Sequence, residues 1–207
     1  MDRLNKKIPM LIILKILHKS NDPLSFAALI LNKSIMKKLF FIAAFAVIGL
    51  SNVNAQGVQF GATAGLVIVD PNAEIDGVDV DINSETGFYV GFVADLSISD
   101  KFGVQPEVVY SRVNDGNGIL VPIMAKYNAT EKLNIQFGPA FDFTLEDLPS
   151  DFQGVGLSLG AGLGFDITEN IFVEGRYNFQ LNDYYTGDLD IQSKSNILTF
   201  GIGYYFN

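Results

Sequence analysis

The sequence predicts an all-β fold, an eight-stranded antiparallel transmembrane up-and-down β-barrel preceded by a signal peptide. Three observations support it: strand patterns of period two from residue 59 onward, alternating short and long connections, and a short apolar leader. The clearest strand is Gly154–Asp166, where large apolar residues alternate with glycine, serine and one aspartate. One face of this strand is continuously apolar, and the other carries almost no side chains. This suits lipid outside the barrel and a narrow, crowded lumen inside it.

The first 55 residues are expected to lie outside the folded domain. Met36–Gln56 begins with Lys37 and Lys38, continues with the apolar run Leu39–Leu50, and ends in small residues before a cut at Gln56, as secretory signal peptides do. The apolar run is too short to cross a bilayer of about 30 Å as a helix. We therefore interpret 36–55 as the signal peptide and 56–207 as the outer-membrane barrel. Residues 1–35 are interpreted as a mis-assigned N-terminal extension, with a genuine extended leader as the alternative.

The first four predicted strands show period two. In Gln59–Val69, outward Phe60, Ala62, Ala64 and Leu66 alternate with Gly61, Thr63 and Gly65. In Thr86–Ile98, outward Phe88, Val90, Phe92, Ala94, Leu96 and Ile98 alternate with Tyr89, Gly91, Val93, Asp95 and Ser97. In Phe102–Arg112, outward Val104, Pro106, Val108 and Tyr110 alternate with Gln105, Glu107 and Val109. In Ile119–Tyr127, outward Val121, Ile123 and Ala125 alternate with Leu120, Pro122, Met124 and Lys126.

The last four predicted strands continue the pattern. In Leu133–Thr144, outward Leu133, Ile135, Phe137, Pro139, Phe141 and Phe143 alternate with Asn134, Gln136, Gly138, Ala140, Asp142 and Thr144. The glycine-rich strand is sixth. In Ile171–Asn182, outward Val173, Tyr177, Phe179 and Leu181 alternate with Glu174, Arg176, Asn178 and Gln180. Ile197–Phe206 closes the series, and prolines 106, 122 and 139 predict bulges or local bends because each removes a ladder donor.

The predicted connections alternate in length. Those near 99–101, 128–132 and 167–169 are short, whereas 70–85, 113–118, 145–153 and 183–196 are longer. A barrel with short periplasmic turns and long outer loops has this rhythm, and an even number of strands places both chain ends on the periplasmic side.

Charge and composition exclude several functions. Residues 56–207 hold six Lys and Arg against 21 Asp and Glu, a net charge of −15, which repels nucleic acid. The chain has no cysteine, and its one histidine, His18, lies before the barrel, so thiolate and imidazole chemistry are absent downstream. Enzymatic outer-membrane barrels generally depend on a histidine. We therefore expect no catalytic residues, no enzyme activity and no cofactor.

Six charged residues are predicted to face the lumen as one polar network: Asp95, Glu107, Lys126, Asp142, Glu174 and Arg176. An eight-stranded barrel is just wide enough for side chains to fill, and unpaired charge inside it would be costly. The favoured interpretation is a packed, salt-bridged plug. A proton or ion path is the alternative.

The first long loop offers a weak metal site at Asp79, Asp81, Asn83 and Glu85. Their spacing provides the hard oxygen ligands that calcium uses, but the sixth-position glycine and twelfth-position glutamate of a helix-loop-helix calcium site are missing. A solvated acidic loop is the favoured interpretation. Further acids on the outer rim are expected either to bind divalent cations that bridge lipopolysaccharide phosphates or to keep the loops soluble; they are Glu146, Asp147, Asp151, Asp183, Asp188 and Asp190.

Aromatic residues are predicted to form two girdles at the membrane interfaces. The outer girdle comprises Tyr110, Phe143, Tyr184 and Tyr185, and the inner girdle comprises Phe102, Tyr127, Phe165, Phe172 and Tyr204.

Several short segments carry a family resemblance. The last strand places Leu198, Phe200, Ile202, Tyr204 and Phe206 on alternate positions, which resembles the terminal signal that outer-membrane assembly machinery reads, although Asn207 stands where a terminal Phe is usual. Together with Val104–Ser111 (VQPEVVYS), Leu120–Ile123 (LVPI) and Phe137–Pro139 (FGP), the chain resembles the PorT-like outer-membrane β-barrel family of Bacteroidetes. The resemblance implies an outer-membrane barrel usually without a known activity, a minority of which serve secretion.

Two functional classes remain open at this point. The first is a non-enzymatic structural or interaction barrel whose acidic loops contact the cell envelope, another cell or a partner protein. The second is a narrow transport channel or an accessory subunit of a secretion machine. A soluble periplasmic barrel of lipocalin type is a third alternative that requires the opposite polarity. The expected partners are outer-membrane lipid, the assembly machinery and an envelope or secretion partner, without nucleic acid.

Overall fold

The computed structural model describes residues 57–75, 77–80, 82–189 and 191–206. The predicted extension at 1–35 and signal peptide at 36–55 lie outside these residues. The described strands are β1 Val58–Ile75, β2 Val78–Val80, β3 Glu85–Ser97, β4 Phe102–Val113, β5 Gly116–Asn128, β6 Leu133–Thr144, β7 Val155–Asp166, β8 Ile171–Gln180 and β9 Ile191–Tyr205. No helix in this part of the chain combines the length and hydropathy needed to span a bilayer.

Eight long strands close into an antiparallel barrel. Their order is β1-β3-β4-β5-β6-β7-β8-β9, and β1 pairs with β9 to complete the circle. The short strand β2 pairs only with the far end of β1 and is an addition to the barrel rather than part of its wall. The predicted all-β, eight-stranded up-and-down barrel is confirmed.

The two barrel faces have opposite polarity, as predicted. Outward apolar side chains are exposed, for example Phe92 at 71% and Phe137 at 55%, whereas Glu107 and Arg176 are 3% and 4% exposed inside. A water-soluble protein covers large apolar side chains and exposes charge, so this arrangement fits a barrel surrounded by lipid. It contradicts the alternative of a soluble lipocalin-type barrel, which needs apolar residues inside.

The two ends of the barrel differ. At one end, which we call the turn end, strands are joined at 98–101, 129–132 and 167–170, and the backbone N–H of Phe206 donates to the Phe60 carbonyl. At the other, the loop end, lie the connections 145–154 and 181–190.

The connection at 113–118, predicted to be long, is instead a tight turn. Val113 pairs with Gly116, and Asn114 has a φ of 51°. Positive φ suits the central residue of a two-residue hairpin, and asparagine tolerates it.

β1 and β9 are longer than the sequence pattern predicts. β1 continues beyond Val69 to Ile75, and β9 begins at Ile191 rather than Ile197. These added segments pair with each other from Asp70↔Asn196 to Ile75↔Ile191, and backbone hydrogen bonding therefore extends them past the rest of the barrel.

The strand prolines interrupt pairing without shifting it. Between β4 and β5, Pro106 pairs with Ile123 and the next pair is Val109↔Leu120, in the same register. A bulge would add one residue to one strand and change the register. Prolines 106 and 122 therefore cause local gaps in the hydrogen-bond ladder and not the predicted bulges.

Candidate functional site: the polar lumen

The middle of the lumen is filled by five polar side chains from three strands, which we call the central belt: Gln105, Glu107, Gln136, Glu174 and Arg176. Arg176 Nη2 lies 2.5 Å from Glu107 Oε1 and 2.5 Å from Glu174 Oε2, and its Nε donates to Gln136 Oε1. Gln105 Nε2 donates to the same two carboxylate oxygens, at 2.7 and 3.0 Å. One guanidinium and one amide thus connect two carboxylates across the barrel.

A second charged group lies toward the turn end. Lys126 Nζ forms an ion pair with Asp95 Oδ2, and the Tyr205 hydroxyl donates to the same oxygen at 3.2 Å. The Tyr205 ring stacks on the Phe172 ring with a centroid distance of 4.7 Å. This group closes the lumen below the central belt.

The third group lies toward the loop end. Asp142 accepts a hydrogen bond from the hydroxyl of Tyr184, which belongs to the 181–190 connection. Burial, followed by the Asp142 carboxylate, raises the pKa of Tyr184, which favours the protonated hydroxyl that donates this hydrogen bond. The six predicted lumen residues therefore all face inward, but the structure divides them into three groups. Asp142 pairs with a loop tyrosine rather than with the central belt, so the polar residues of the lumen form three separate groups.

The two large loop-end connections form one cover over Asp142. Phe152 forms a β-bridge with Tyr185, and their rings lie 5.3 Å apart. Gln153 N–H donates to the Tyr184 carbonyl at 2.8 Å, and Thr186 N–H donates to the Asp151 carbonyl at 2.8 Å. These contacts hold the Tyr184 hydroxyl in place above the lumen.

An apolar layer separates the central belt from this cover. Its buried members are Val67, Tyr89, Val109, Leu120, Ala140 and Ile197. A cavity of about 10 Å³ lies where this layer meets the belt, with Leu120, Arg176 and Asn178 among its lining residues. That volume is about enough for one water molecule. At this level the lumen is therefore filled by side chains apart from room for about one water molecule.

The inward glycines of β7 make room for the polar side chains. A Cβ on Gly156 would lie 2.1 Å from Asp142 Oδ1, and one on Gly160 would lie 2.4 Å from Asn178 Oδ1. A Cβ on Gly164 would lie 2.5 Å from Asn134 Oδ1. The bare face of the glycine-rich strand is thus the surface on which the polar residues of β6 and β8 lie.

Gly162→Ala is expected to destabilise the barrel by about 1–3 kcal/mol, the usual cost of overpacking. Its Cβ would lie 2.4 Å from the Gly175 carbonyl oxygen and 2.6 Å from Arg176 Cγ, and a backbone contact cannot be relieved by rotating a side chain. Gly116→Ala is the matched control, because its nearest contact is 3.4 Å away. Urea unfolding of both variants measures the difference, and equal midpoints would contradict the packing argument.

Sequence reasoning missed the uncharged members of the lumen as functional partners. Gln105, Gln136, Asn178 and Gln180 are 0–1% exposed, and Gln136 and Gln105 contact the charged residues directly. The signal was present, because these amides occupy the same alternate positions as the charged residues. Tyr184 carried no such signal, since it lies in a connection.

The predicted girdles are partly wrong. Phe172 is 2% exposed inside the barrel, and Tyr184 points to Asp142. Phe102 and Tyr127 are exposed on the outer face, 5.4 Å apart, as the girdle prediction requires.

The weak metal site of the acidic loop stays a prediction, because two of its four residues lie wholly or partly outside the described residues. The side chain of Asp79 and all of Asp81 lie outside the described residues. Asn83 precedes β3, and Glu85 is its first residue. Across residues 57–75, 77–80, 82–189 and 191–206, no three His, Cys, Asp or Glu side chains come together in a metal-binding arrangement.

Comparison with known proteins agrees with the barrel topology. The family described as outer membrane protein beta-barrel domain matches residues 40–206. Ail, the attachment invasion locus protein of Yersinia pestis, is a similar solved structure, with 19% identity, a TM-score of 0.44, and coverage of 72% of this chain and 98% of Ail. OprG from Pseudomonas aeruginosa is 16% identical, with a TM-score of 0.41 and coverage of 74% and 98%. Neisserial surface protein A is 17% identical, with a TM-score of 0.42 and coverage of 73% and 100%. No curated protein matches the chain.

Proposed function

Because this chain belongs to the outer membrane protein beta-barrel domain family, we propose that it is a non-enzymatic outer-membrane barrel with a structural or interaction role in the cell envelope. Its location is the outer membrane of a Gram-negative bacterium. The observation that carries the proposed role is the central belt, in which Arg176 joins Glu107 and Glu174 across the lumen. A lumen filled in this way stabilises the barrel wall from inside. The loop end then remains as the surface that can contact partners.

The proposal extends to the family branch. We infer that the chain is a PorT-like barrel of Bacteroidetes, and the sequence segments Val104–Ser111, Leu120–Ile123 and Phe137–Pro139 support this because they carry the resemblance. The partners that this proposal includes are outer-membrane lipid, the assembly machinery that reads the last strand, and an envelope component at the loop end. The absence of histidine from 56–207 supports the non-enzymatic part.

A transport or secretion role is the second candidate. The cavity of about 10 Å³ beside Arg176 is the feature that favours it. A channel would require the central belt to open, because a space of about one water molecule conducts nothing larger in a fixed barrel.

Planar-bilayer conductance of the refolded protein distinguishes the two candidates. We expect no steady current from the unaltered barrel. A wide porin reconstituted in the same bilayers is the positive control for current. Steady open-state current from the unaltered protein would overturn the closed barrel in favour of the channel.

A further inference from the structure

The extensions of β1 and β9 form a small sheet at the loop end, which we call the ribbon: residues 70–75 of β1, 78–80 of β2 and 191–196 of β9. Ile75 pairs with Ile191 on one side and with Val78 on the other. Ala73 pairs likewise with Ser193 and Val80. Residues directly opposite each other in an antiparallel sheet project from the same face. Ile75, Val78, Val80 and Ile191 therefore share one face, which we call the inner ribbon face.

The inner ribbon face points toward the barrel axis and not toward lipid. Side chains alternate along β1, and Thr63 and Val67, at odd positions, are buried in the lumen, whereas Phe60 and Leu66, at even positions, are exposed outside. Ile75 has an odd number, so it continues the lumen side of the strand. Membrane lipid surrounds the outside of the barrel, so it does not cover this face.

This apolar face is incompletely covered by the protein. Val78 is 65% exposed and Val80 is 38% exposed, and Ile75 and Ile191 are half-buried. Below them, Val69 and Ile197 pair with each other and belong to the apolar layer of the lumen. Pro71, Ala73, Ser193 and Ser195 lie between these two levels on the same face, so the aliphatic residues of the ribbon form a separate exposed apolar patch above the lumen layer. Exposed apolar surface in water marks a binding site more often than an isolated exposed residue does.

The charge around this face determines the charge of the partner that it attracts. Among the described side chains, the loop-end segments 70–75, 77–80, 82–85, 114–115, 145–154, 181–189 and 191–196 hold nine Asp and Glu against one Lys, whereas the turn-end segments 98–101, 129–132 and 167–170 hold three acids and two lysines. Glu85 pairs with Val69, so its carboxylate belongs to the inner side as well. A positively charged partner is attracted to such a surface and a negatively charged one is repelled.

We propose that the inner ribbon face docks a cationic amphipathic polypeptide segment, which places aliphatic side chains on Val78 and Val80 and lysine or arginine beside Glu85 and the loop acids. Within the described residues β2 pairs with β1 alone, and an extended segment of the partner can add to its other edge. This inference deepens the interaction role proposed above and rests on it.

The test measures peptide binding to the full chain refolded into phosphatidylcholine nanodiscs. The probe is a fluorescein-labelled peptide of alternating leucine and lysine, with leucine–glutamate and serine–lysine peptides of equal length for comparison. Fluorescence anisotropy is read against empty nanodiscs. We expect the leucine–lysine peptide to bind at least tenfold more tightly than either comparison peptide, because only it offers both aliphatic and positive groups.

Three variants locate the site. Val78→Asn with Val80→Asn is expected to weaken leucine–lysine binding by tenfold or more, whereas Asn72→Ala with Gln192→Ala, on the opposite face of the ribbon, is expected to leave it unchanged. Glu85→Gln is expected to weaken binding two- to threefold and to reduce its salt dependence. Heat-modifiable gel mobility shows that each variant is folded.

Equal binding of the leucine–glutamate peptide, no measurable binding, or an unchanged affinity in the Val78 and Val80 variant would overturn this inference. These outcomes are separate from the failure of the proposed function. Steady current in the bilayer would overturn the closed barrel, whether or not the peptide binds. A barrel that carries no current and does not bind the peptide would overturn only the docking surface.

Discussion

Arg176→Met is expected to lower the free energy of unfolding by about 3–5 kcal/mol, the usual cost of removing one partner of a buried ion pair. Arg176 is the group that joins Glu107 to Glu174, and all three side chains are 2–4% exposed. Without the guanidinium, two carboxylates face each other inside the barrel with Gln105 as their shared donor. Urea titration of the barrel refolded into lipid vesicles measures the loss. Lys101→Met, in an exposed turn at the turn end, is the matched control and is expected to change the unfolding energy by less than about 0.5 kcal/mol.

The cause of this loss can be separated from the loss of packing. The triple variant Glu107→Gln, Glu174→Gln and Arg176→Met removes the uncompensated charge together with the arginine. We expect it to regain much of the stability that Arg176→Met loses, since replacing all members of a buried charged group is far less costly than breaking it. A triple variant as unstable as the single one would show that the belt stabilises the barrel through side-chain volume and not through charge pairing.

The face of each strand residue could be predicted because lipid and lumen impose opposite polarity on alternate positions. That rule was enough to place Glu107, Arg176 and Asp142 inside. It was not enough to say which of them touch, because alternation gives the direction of a side chain but not its height in the barrel. Height depends on the register of every strand pair, and the structure puts Asp142 at the loop end, beside Gly156 and away from the belt.

The connections were harder to predict than the strands for a related reason. Residues 70–75, DPNAEI, contain a proline and no alternating apolar pattern, so their pairing with 191–196 could not be read locally. Tyr184 reaches Asp142 only because the connections 145–154 and 181–190 hold each other. The turn at Asn114 was recognisable, since Asn-Asp-Gly between two strands favours a tight hairpin.

Leu159→Arg tests the lipid-facing side of the barrel wall. Leu159 lies in the middle of β7, pairs with Pro139 and Phe179, and is 40% exposed on the apolar perimeter. An arginine at the middle of the bilayer on the lipid-facing side of a barrel costs about 2–4 kcal/mol. We expect a loss of that size in urea unfolding from lipid vesicles, together with a lower folded fraction in heat-modifiable gel mobility.

Leu189→Arg is the matched control, because it makes the same change at a residue that is 67% exposed in the 181–190 connection. Arginine there meets water and acidic neighbours, so the expected loss is close to zero. If lipid surrounds the barrel, the loss of unfolding free energy must be larger at Leu159 than at Leu189, although both leucines are exposed. If Leu159→Arg were as harmless as Leu189→Arg, the apolar perimeter would not be in contact with hydrocarbon, and the barrel surrounded by lipid would be overturned.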